Sequence, residues 1–267
     1  MHAADKLSLS YAGFYGSMFE DFVVRALELG FSSVQFIPDQ TPNLVAEMDP
    51  ERLVRLRDAL TTARLNCSVH AVFYDINLVS VVPEVQDAAL DILRQNLEFA
   101  VAIGASRVTA HPGYMFPGWR SSEFQAATFW SSAGKGLAKL DVLARQYAIR
   151  VYLENGSYYV SSVRSQDRTP LHIGITVAEM TRLLAGTSLS LGLCLDVGKA
   201  QASGSDFRTF LSSFRDRVGQ IQISTWAAYE ELVASAEFAA LPAAPEIVFE
   251  GGAARAEEFV RNLKASR

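Results

Sequence analysis

Two cysteines in 267 residues leave no disulfide framework to read. Cys67 and Cys194 both fall inside strand-like apolar runs, which suits a reducing compartment. No apolar run reaches the roughly 18 to 20 residues that a membrane span needs. The opening MHAADKLSLSYAGF lacks the basic region and following apolar stretch of a secretory signal. A soluble cytoplasmic protein with no membrane segment is therefore expected. No Pro/Gly/Ser-rich linker or low-complexity tract divides the chain, so residues 1–267 are expected to form one domain. Positive charge is also short: 24 Lys and Arg against 29 Asp and Glu give a formal net charge of −5. That balance disfavours nucleic acid, whose phosphates are gripped by several basic side chains. The segment PDQTPNLVAEMDP (38–50) has no Lys or Arg at all. A small-molecule substrate is the expected partner, and the sequence leaves the oligomeric state open.

What the chain has in quantity is apolar residue, 49% of the total, enough to bury a large core. Its distribution alternates between two periods. LSLSY (7–11) precedes a helix in which Phe19, Phe22, Val23, Ala26 and Leu27 follow i, i+3, i+4, i+7 spacing. SVQFI (33–37) precedes a helix carrying Leu53, Leu56, Leu60 and Ala63, opened by Asp49 and Pro50 as cap and first turn. NCSVH (66–70) leads to Leu90, Leu93, Leu97, Ala100 and Val101, closed by Gly104. SRVTAH, RVYLE, LGLCLD, VGQIQIS and EIVFE follow, each separated by helix-length sequence. Eight β-then-α units imply parallel strands and match an α/β fold of the (β/α)8 TIM-barrel type in count and length. A doubly wound open sheet is the alternative, but no Gly-rich dinucleotide turn follows the first strand.

In such a barrel the active site lies at the C-terminal strand ends. Those ends read His70, His111, Glu154, Asp196 and Glu250. Side chains alternate along a strand, so Glu154 is opposite Val151 and Leu153, and Asp196 is opposite Leu191, Leu193 and Leu195. By the same count all five polar residues point into the barrel mouth. Three carboxylates and two imidazoles converging there call for a cation. One or two divalent ions meet that need. Two His and one carboxylate suit Zn, Fe or Mn, whereas additional carboxylates suit Mn or Mg. Lys199, three residues after Asp196, places an ammonium beside the same carboxylates.

The strings HAVFYDINLVS (70–80), HPG (111–113), LEN (153–155), CLDVGKAQASG (194–204) and IVFE (247–250) resemble the xylose-isomerase-like TIM barrels, which include sugar epimerases and the endonuclease IV branch. The resemblance implies His70, His111 and Glu154 as a first metal set, and Glu154, Asp196 and Glu250 as contributors to a second. Most members add a His on the seventh strand; here VGQIQISTW puts Gln222 at that place. The endonuclease third-metal His is replaced by Lys199. Its two companion ligands are missing from AAYEELVASAEFAALPAAP (227–245), which contains no histidine. The resemblance thus implies a dismantled nuclease site, with Lys199 standing in for a lost cation, holding a substrate anion, or forming a plain ion pair.

Two loops join the expected mouth. HPGYMFPGWR (111–120) offers Tyr114, Phe116, Trp119 and Arg120 as a substrate lid or as rim packing. NGSYYVSSVRSQDR (155–168) offers Tyr158, Tyr159, Arg164 and Arg168, one of whose arginines would meet an anionic group. His172 reads as an ordinary loop residue. The resulting expectation is a metal-dependent enzyme acting on a small sugar, polyol or related carbonyl compound, of isomerase or epimerase type. Glu154 and Glu250 serve as its acid–base pair, with Lys199 as a third catalytic group. The alternatives are an endonuclease IV-like phosphodiesterase with a reduced metal set, and a divergent barrel recruited to binding or other biosynthetic chemistry.

Overall fold

The computed structural model describes residues 7–14, 17–38, 49–120, 122–156 and 172–266. Its elements alternate as the two sequence periods require. In chain order they are β1 (Leu7–Ser10), α1 (Phe19–Leu29), β2 (Ser33–Phe36), α2 (Pro50–Ala63), β3 (Asn66–His70), α3 (Pro83–Ile103), β4 (Arg107–Ala110), α4 (Pro117–Arg120) and α5 (Glu123–Gln146). Then come β5 (Arg150–Glu154), α6 (Val177–Leu184), β6 (Leu191–Asp196), α7 (Val197–Ala202), α8 (Phe207–Ser213), β7 (Val218–Ile223), α9 (Trp226–Ala234), α10 (Ala236–Ala239), β8 (Glu246–Phe249) and α11 (Ala253–Ala265). The eight strands pair in parallel in sequence order, and β8 closes on β1 to make a (β/α)8 barrel. Among the described residues no helix is long and apolar enough to cross a membrane.

Local chemistry marks the element ends. Asp49 accepts a hydrogen bond from the Glu51 amide at 3.2 Å, and Pro50 opens α2. Gly104 ends α3 at φ 81°, a left-handed value that glycine adopts without strain. Arg107–Ala110, at four residues, stops one short of His111, which therefore starts the loop above the sheet.

Each strand turns one residue in two outward beneath the helices. Leu9, Val34, Val69, Val108, Val151, Leu193, Ile221 and Ile247 are each at most 1% exposed. The inner face is different. Where such barrels ordinarily stack branched aliphatics, this one holds Ser8, Ser10, Ser33, Gln35, Ser68, Thr109, Gln220 and Glu246, all buried. All but Ser8, whose hydroxyl meets no partner among the described residues, are hydrogen-bonded there: Glu246 accepts from Ser33 at 3.2 Å, Ser68 at 3.0 Å, Gln220 at 2.8 Å and Arg107 at 3.4 Å. Thr109 in turn donates to the Gln220 carbonyl. Burying a carboxylate is tolerable only with its lone pairs filled in this way.

Tyr152 occupies the inner face of β5 and sets the shape of the next two strands. Its ring is where a Cβ on Gly192 would sit, 2.7 Å away, and a Cβ on Gly219 would lie inside its van der Waals envelope. Gly219 is also the extra residue at the β6–β7 register shift, where Leu193 faces Val218 and Cys194 faces Gln220. That bulge turns Gln220 and Gln222 inward. Gly219→Ala is expected to cost about 1–3 kcal/mol by forcing Tyr152 or the bulge to move. Urea unfolding checks it, and an unchanged midpoint would mean that the ring yields freely.

Candidate active site

The mouth is assembled from the ends of five strands and the first turn of α7. His70 closes β3, Glu154 closes β5 and Asp196 closes β6, while His111 and Glu250 each follow their strand by one residue. Glu154, 2% exposed, is the hub. Its Oε2 lies 3.0 Å from His70 Nε2 and 2.9 Å from His111 Nε2. Its Oε1 accepts from the Lys199 ammonium. Lys199 Nζ also lies 3.7 Å from Asp196 Oδ2, while Asp196 Oδ1 caps α7 by accepting from the Lys199 amide at 2.8 Å. The opening turn of α7 thus holds lysine and aspartate together by both backbone and side chain.

Neighbouring groups hold these side chains in place. Asn155 pins Asp196 to the end of β5, donating to its carbonyl at 3.1 Å and accepting from its amide at 2.7 Å. His70 Nδ1 donates to the Ala71 carbonyl at 2.9 Å, so Nε2 donates to Glu154 while the ring is protonated and turns its lone pair inward when the ring is neutral. Phe73 stacks on His111 with ring centres 5.1 Å apart and meets His70 edge-on at 5.3 Å.

Charge states follow from burial and partners. Burial by itself would raise the Glu154 carboxyl, but Lys199 and the two imidazoles overrule it and hold it well below 4.5. On Glu250 the pull of Lys199 and His70 is outweighed. Burial first, then the charges of Glu154 and Asp196, push it up to about 8. Asp196 is also raised, by burial and then by Glu154, against the opposing pull of Lys199. Burial opposes charge on His70, yet its hydrogen bond and attraction to Glu154 raise it; His111, chiefly through burial, falls to about 4. Lys199 would be lowered by burial, and the surrounding carboxylates raise it instead.

Of the six side chains singled out as metal ligands, the structure draws three into one cluster. Ligand atoms of His70, His111 and Glu154 lie within 4.8 Å of one another, and no other such group occurs among the described residues. This donor set, with the His70 lone pair directed inward, fits one borderline divalent ion. Asp196 and Glu250 stay outside the cluster. The ammonium of Lys199 stands between Glu154 and Asp196, so a second ion bridging them does not fit. Gln222 is 1% exposed on the inner face of β7, opposite Asp196, and among the described residues neither end of its amide has a partner. An orphaned buried amide is costly and marks a place where a ligand atom is expected.

The loop after β4 takes up the rim-packing alternative of its sequence reading. Arg120 pairs with Glu179 of α6 and donates to the His172 carbonyl at 2.7 Å. Trp119 packs on the core, while Phe116 is 67% exposed. His172, read as an ordinary loop residue, bridges to Tyr114 and lies with its ring centre 6.3 Å from that of His111. Its position past a long loop carries no periodic signal that could have found it. Tyr158, Tyr159, Arg164 and Arg168 lie outside the described residues, as do residues 39–48 of the second-strand loop.

Solved structures share this architecture at low identity. A D-tagatose 3-epimerase-like protein superposes with a TM-score of 0.76 at 15% identity, covering 98% of this chain and 97% of that one. A 3-keto-D-glucoside 4-epimerase of E. coli gives 0.74 at 15% identity, over 97% and 98%. An AP endonuclease, family 2, of Brucella melitensis gives 0.74 at 12% identity, over 98% and 99%. At such identities the likeness is one of fold. An uncharacterized protein of Methanocaldococcus jannaschii is 24% identical over 203 residues, which is 68% of this chain and spans 64% of that relative's length. The description of the matching family model, over residues 23–233, agrees with the closed parallel barrel, and the chain belongs to the xylose isomerase-like TIM barrel family.

Proposed function

We propose that the protein is an isomerase or epimerase acting on a small sugar, polyol or related carbonyl compound, working as one domain in the cytoplasm. It would move a proton on and off the carbon beside a carbonyl. The observation that carries this reading is a pair of glutamates in one mouth with opposite charge states: Glu154 ionised beneath Lys199 and two imidazoles, Glu250 holding its proton to about 8. Two carboxyls pushed apart in this way are the parts of an acid–base pair.

His70, His111 and Glu154 would hold one divalent ion, which when bound polarises a substrate carbonyl or hydroxyl oxygen. The remaining chemistry belongs to side chains. Glu154 Oε1 accepts the carbon-bound proton, and as its charge is lost its hold on Lys199 weakens. The ammonium then follows the negative charge onto the substrate oxygen as the enediolate forms. Glu250 delivers its own proton to the opposite face of the carbon, and the inverted centre results. The Gln222 amide, with a donor and an acceptor both unspent, suits a substrate hydroxyl. A net charge of −5 supports a small-molecule substrate over nucleic acid.

Protein purified without added metal should contain about one Zn, Mn or Fe per chain, the count a single two-His, one-carboxylate site allows. Glu154→Gln should lose it and Lys199→Met should keep it, both by elemental analysis. The activity assay is deuterium wash-in from D2O beside the carbonyl across a panel of ketoses. Glu250→Gln should slow exchange by about 100-fold or more. Cleavage of abasic-site DNA without any wash-in would replace this reading by the phosphodiesterase one, and two ions per chain would refute the single site.

The charge states predict a pH signature in chelator-treated protein. Folded Glu250 keeps a proton that the unfolded chain sheds near 4.5, so stability falls as pH rises from there to about 8 and levels beyond. Glu154 acts in the opposite sense, its contribution being lost as pH drops below 4.5. The melting temperature of Glu250→Gln should therefore gain on the wild type between those values and hold a constant lead above them. A constant difference from pH 5 to 9 would show that Glu250 titrates normally.

A further inference from the structure

β7 presents two glutamines to the barrel interior, Gln220 and Gln222, alternating with the outward Ile221 and Ile223. Gln220, 0% exposed, uses both ends of its amide: Nε2 donates to Glu246 at 2.8 Å and Oε1 accepts from Thr109. Gln222, two residues nearer the mouth and 1% exposed, uses neither. Among the described residues no other side chain has two buried polar atoms without a partner. The same residue on the same face of one strand is satisfied below and unsatisfied at the site.

Its neighbours leave the amide unbonded. Gln222 is in register with Asp196 on β6 and with Val248 on β8, and Glu250 follows Val248 on the same face. Asp196 Oδ1 accepts from the Lys199 amide and Oδ2 faces the Lys199 ammonium at 3.7 Å; neither oxygen accepts from Gln222. Solvent reaches the adjoining strand end, where the Asp196 and Lys199 side chains are 13% and 27% exposed, and stops short of the amide. A buried amide with nothing to bond destabilises the fold, and an apolar residue of the same shape would remove that cost. Such a cost, carried beside the reacting groups, points to a ligand.

The chemistry of that ligand follows from the amide. Its partner has to donate to Oε1 and accept from Nε2, which a hydroxyl does with a single oxygen. A carboxylate or phosphate only accepts, and would stand between Asp196 and Glu250; an ammonium only donates. We propose that Gln222 is a specificity-determining residue of the mouth, taking one substrate hydroxyl outside the reacting centre, so that polyhydroxylated carbonyl compounds are selected over their deoxy analogues. The inference rests on the isomerase reading for the kind of substrate and adds to it the group by which that substrate is recognised.

Thermal melting of the protein as purified, alone and with each D-ketohexose and its monodeoxy analogues, tests this without turnover. Gln222→Met keeps the length of the side chain and removes both polar ends, so with no ligand it should melt about 2 °C or more above the wild type. The wild type should bind its best ketohexose about tenfold or more tighter than one of the monodeoxy forms, and the variant should bind the two alike. Deuterium wash-in should show the same selectivity in KM, and the same loss of it. A lower melting temperature in Gln222→Met, as a water trapped on the amide would give, overturns the proposal. So does the absence of ketohexose binding, equal binding of every monodeoxy form by the wild type, or discrimination that persists in the variant. Hydroxyl discrimination that depends on Gln222, with no wash-in from any ketose, would support this contact and refute the isomerase reading; wash-in indifferent to Gln222 would refute this contact alone.

Discussion

A single buried carboxylate organises the mouth. Glu154 is 2% exposed, and a charge so placed persists only if its lone pairs are met by donors of the right sign. Those donors arrive from three other elements: His70 from β3, His111 from the loop after β4 and Lys199 from α7. Each has a fixed position because the parallel barrel brings every strand end to the same rim. The positions of Asp196 and Asn155 follow in turn, since Asp196 is tied to both ends of Lys199 and Asn155 clasps the Asp196 backbone. Glu250 gains its unusual state from the same source. Burial and the charges of Glu154 and Asp196 outweigh the pull of Lys199 and His70 on it.

Beneath the mouth the barrel is filled by hydroxyl and amide groups around Glu246 instead of aliphatic layers. The two ends of the molecule consequently differ in character while being built from one alternation. At the upper rim the inward positions leave capacity unspent, in the Gln222 amide. At the lower end the carboxylate of Glu246 is saturated by Ser33, Ser68, Gln220 and Arg107. In a polar interior of this kind most partners, once removed, leave another buried group unsatisfied.

The barrel was legible because both periods are strong. All eight strand runs carry outward apolar residues two apart, and the helices after the first three strands show their apolar spacing plainly. The short helices α4, α7 and α10 were not foreseen; at four to six residues they are too brief to establish a period. Within the site, recurrence at equivalent strand ends made His70, His111, Glu154, Asp196 and Glu250 legible together, and the resemblance to the xylose-isomerase-like barrels set the first three apart. The partner of Lys199 was not legible. Sequence proximity pointed to Asp196, three residues away, whereas its close contact is with Glu154, 45 residues distant. The role of Gly219 was hidden too, since a bulge that reorients Gln220 and Gln222 depends on the bulk of Tyr152 across the barrel. Arg120, read as part of a lid or of rim packing, is a strut to Glu179, a pairing that no local pattern reveals.

Lys199 changes what the mouth can do, beyond filling a gap. A tethered ammonium contributes one positive charge, cannot dissociate, and cannot exchange for a different ion. Two negative charges, on Glu154 and ionised Asp196, are then balanced by Lys199 together with a protonated His70, provided Glu250 stays neutral. An ion held by His70 and His111 requires both rings unprotonated. Loading would therefore remove one positive charge at His70 and introduce two. The gain of one favours the ionised form of every neighbouring carboxylate. The proton that the proposed chemistry asks of Glu250 is then kept by burial, the first cause that raises that group, and not by a shortage of positive charge.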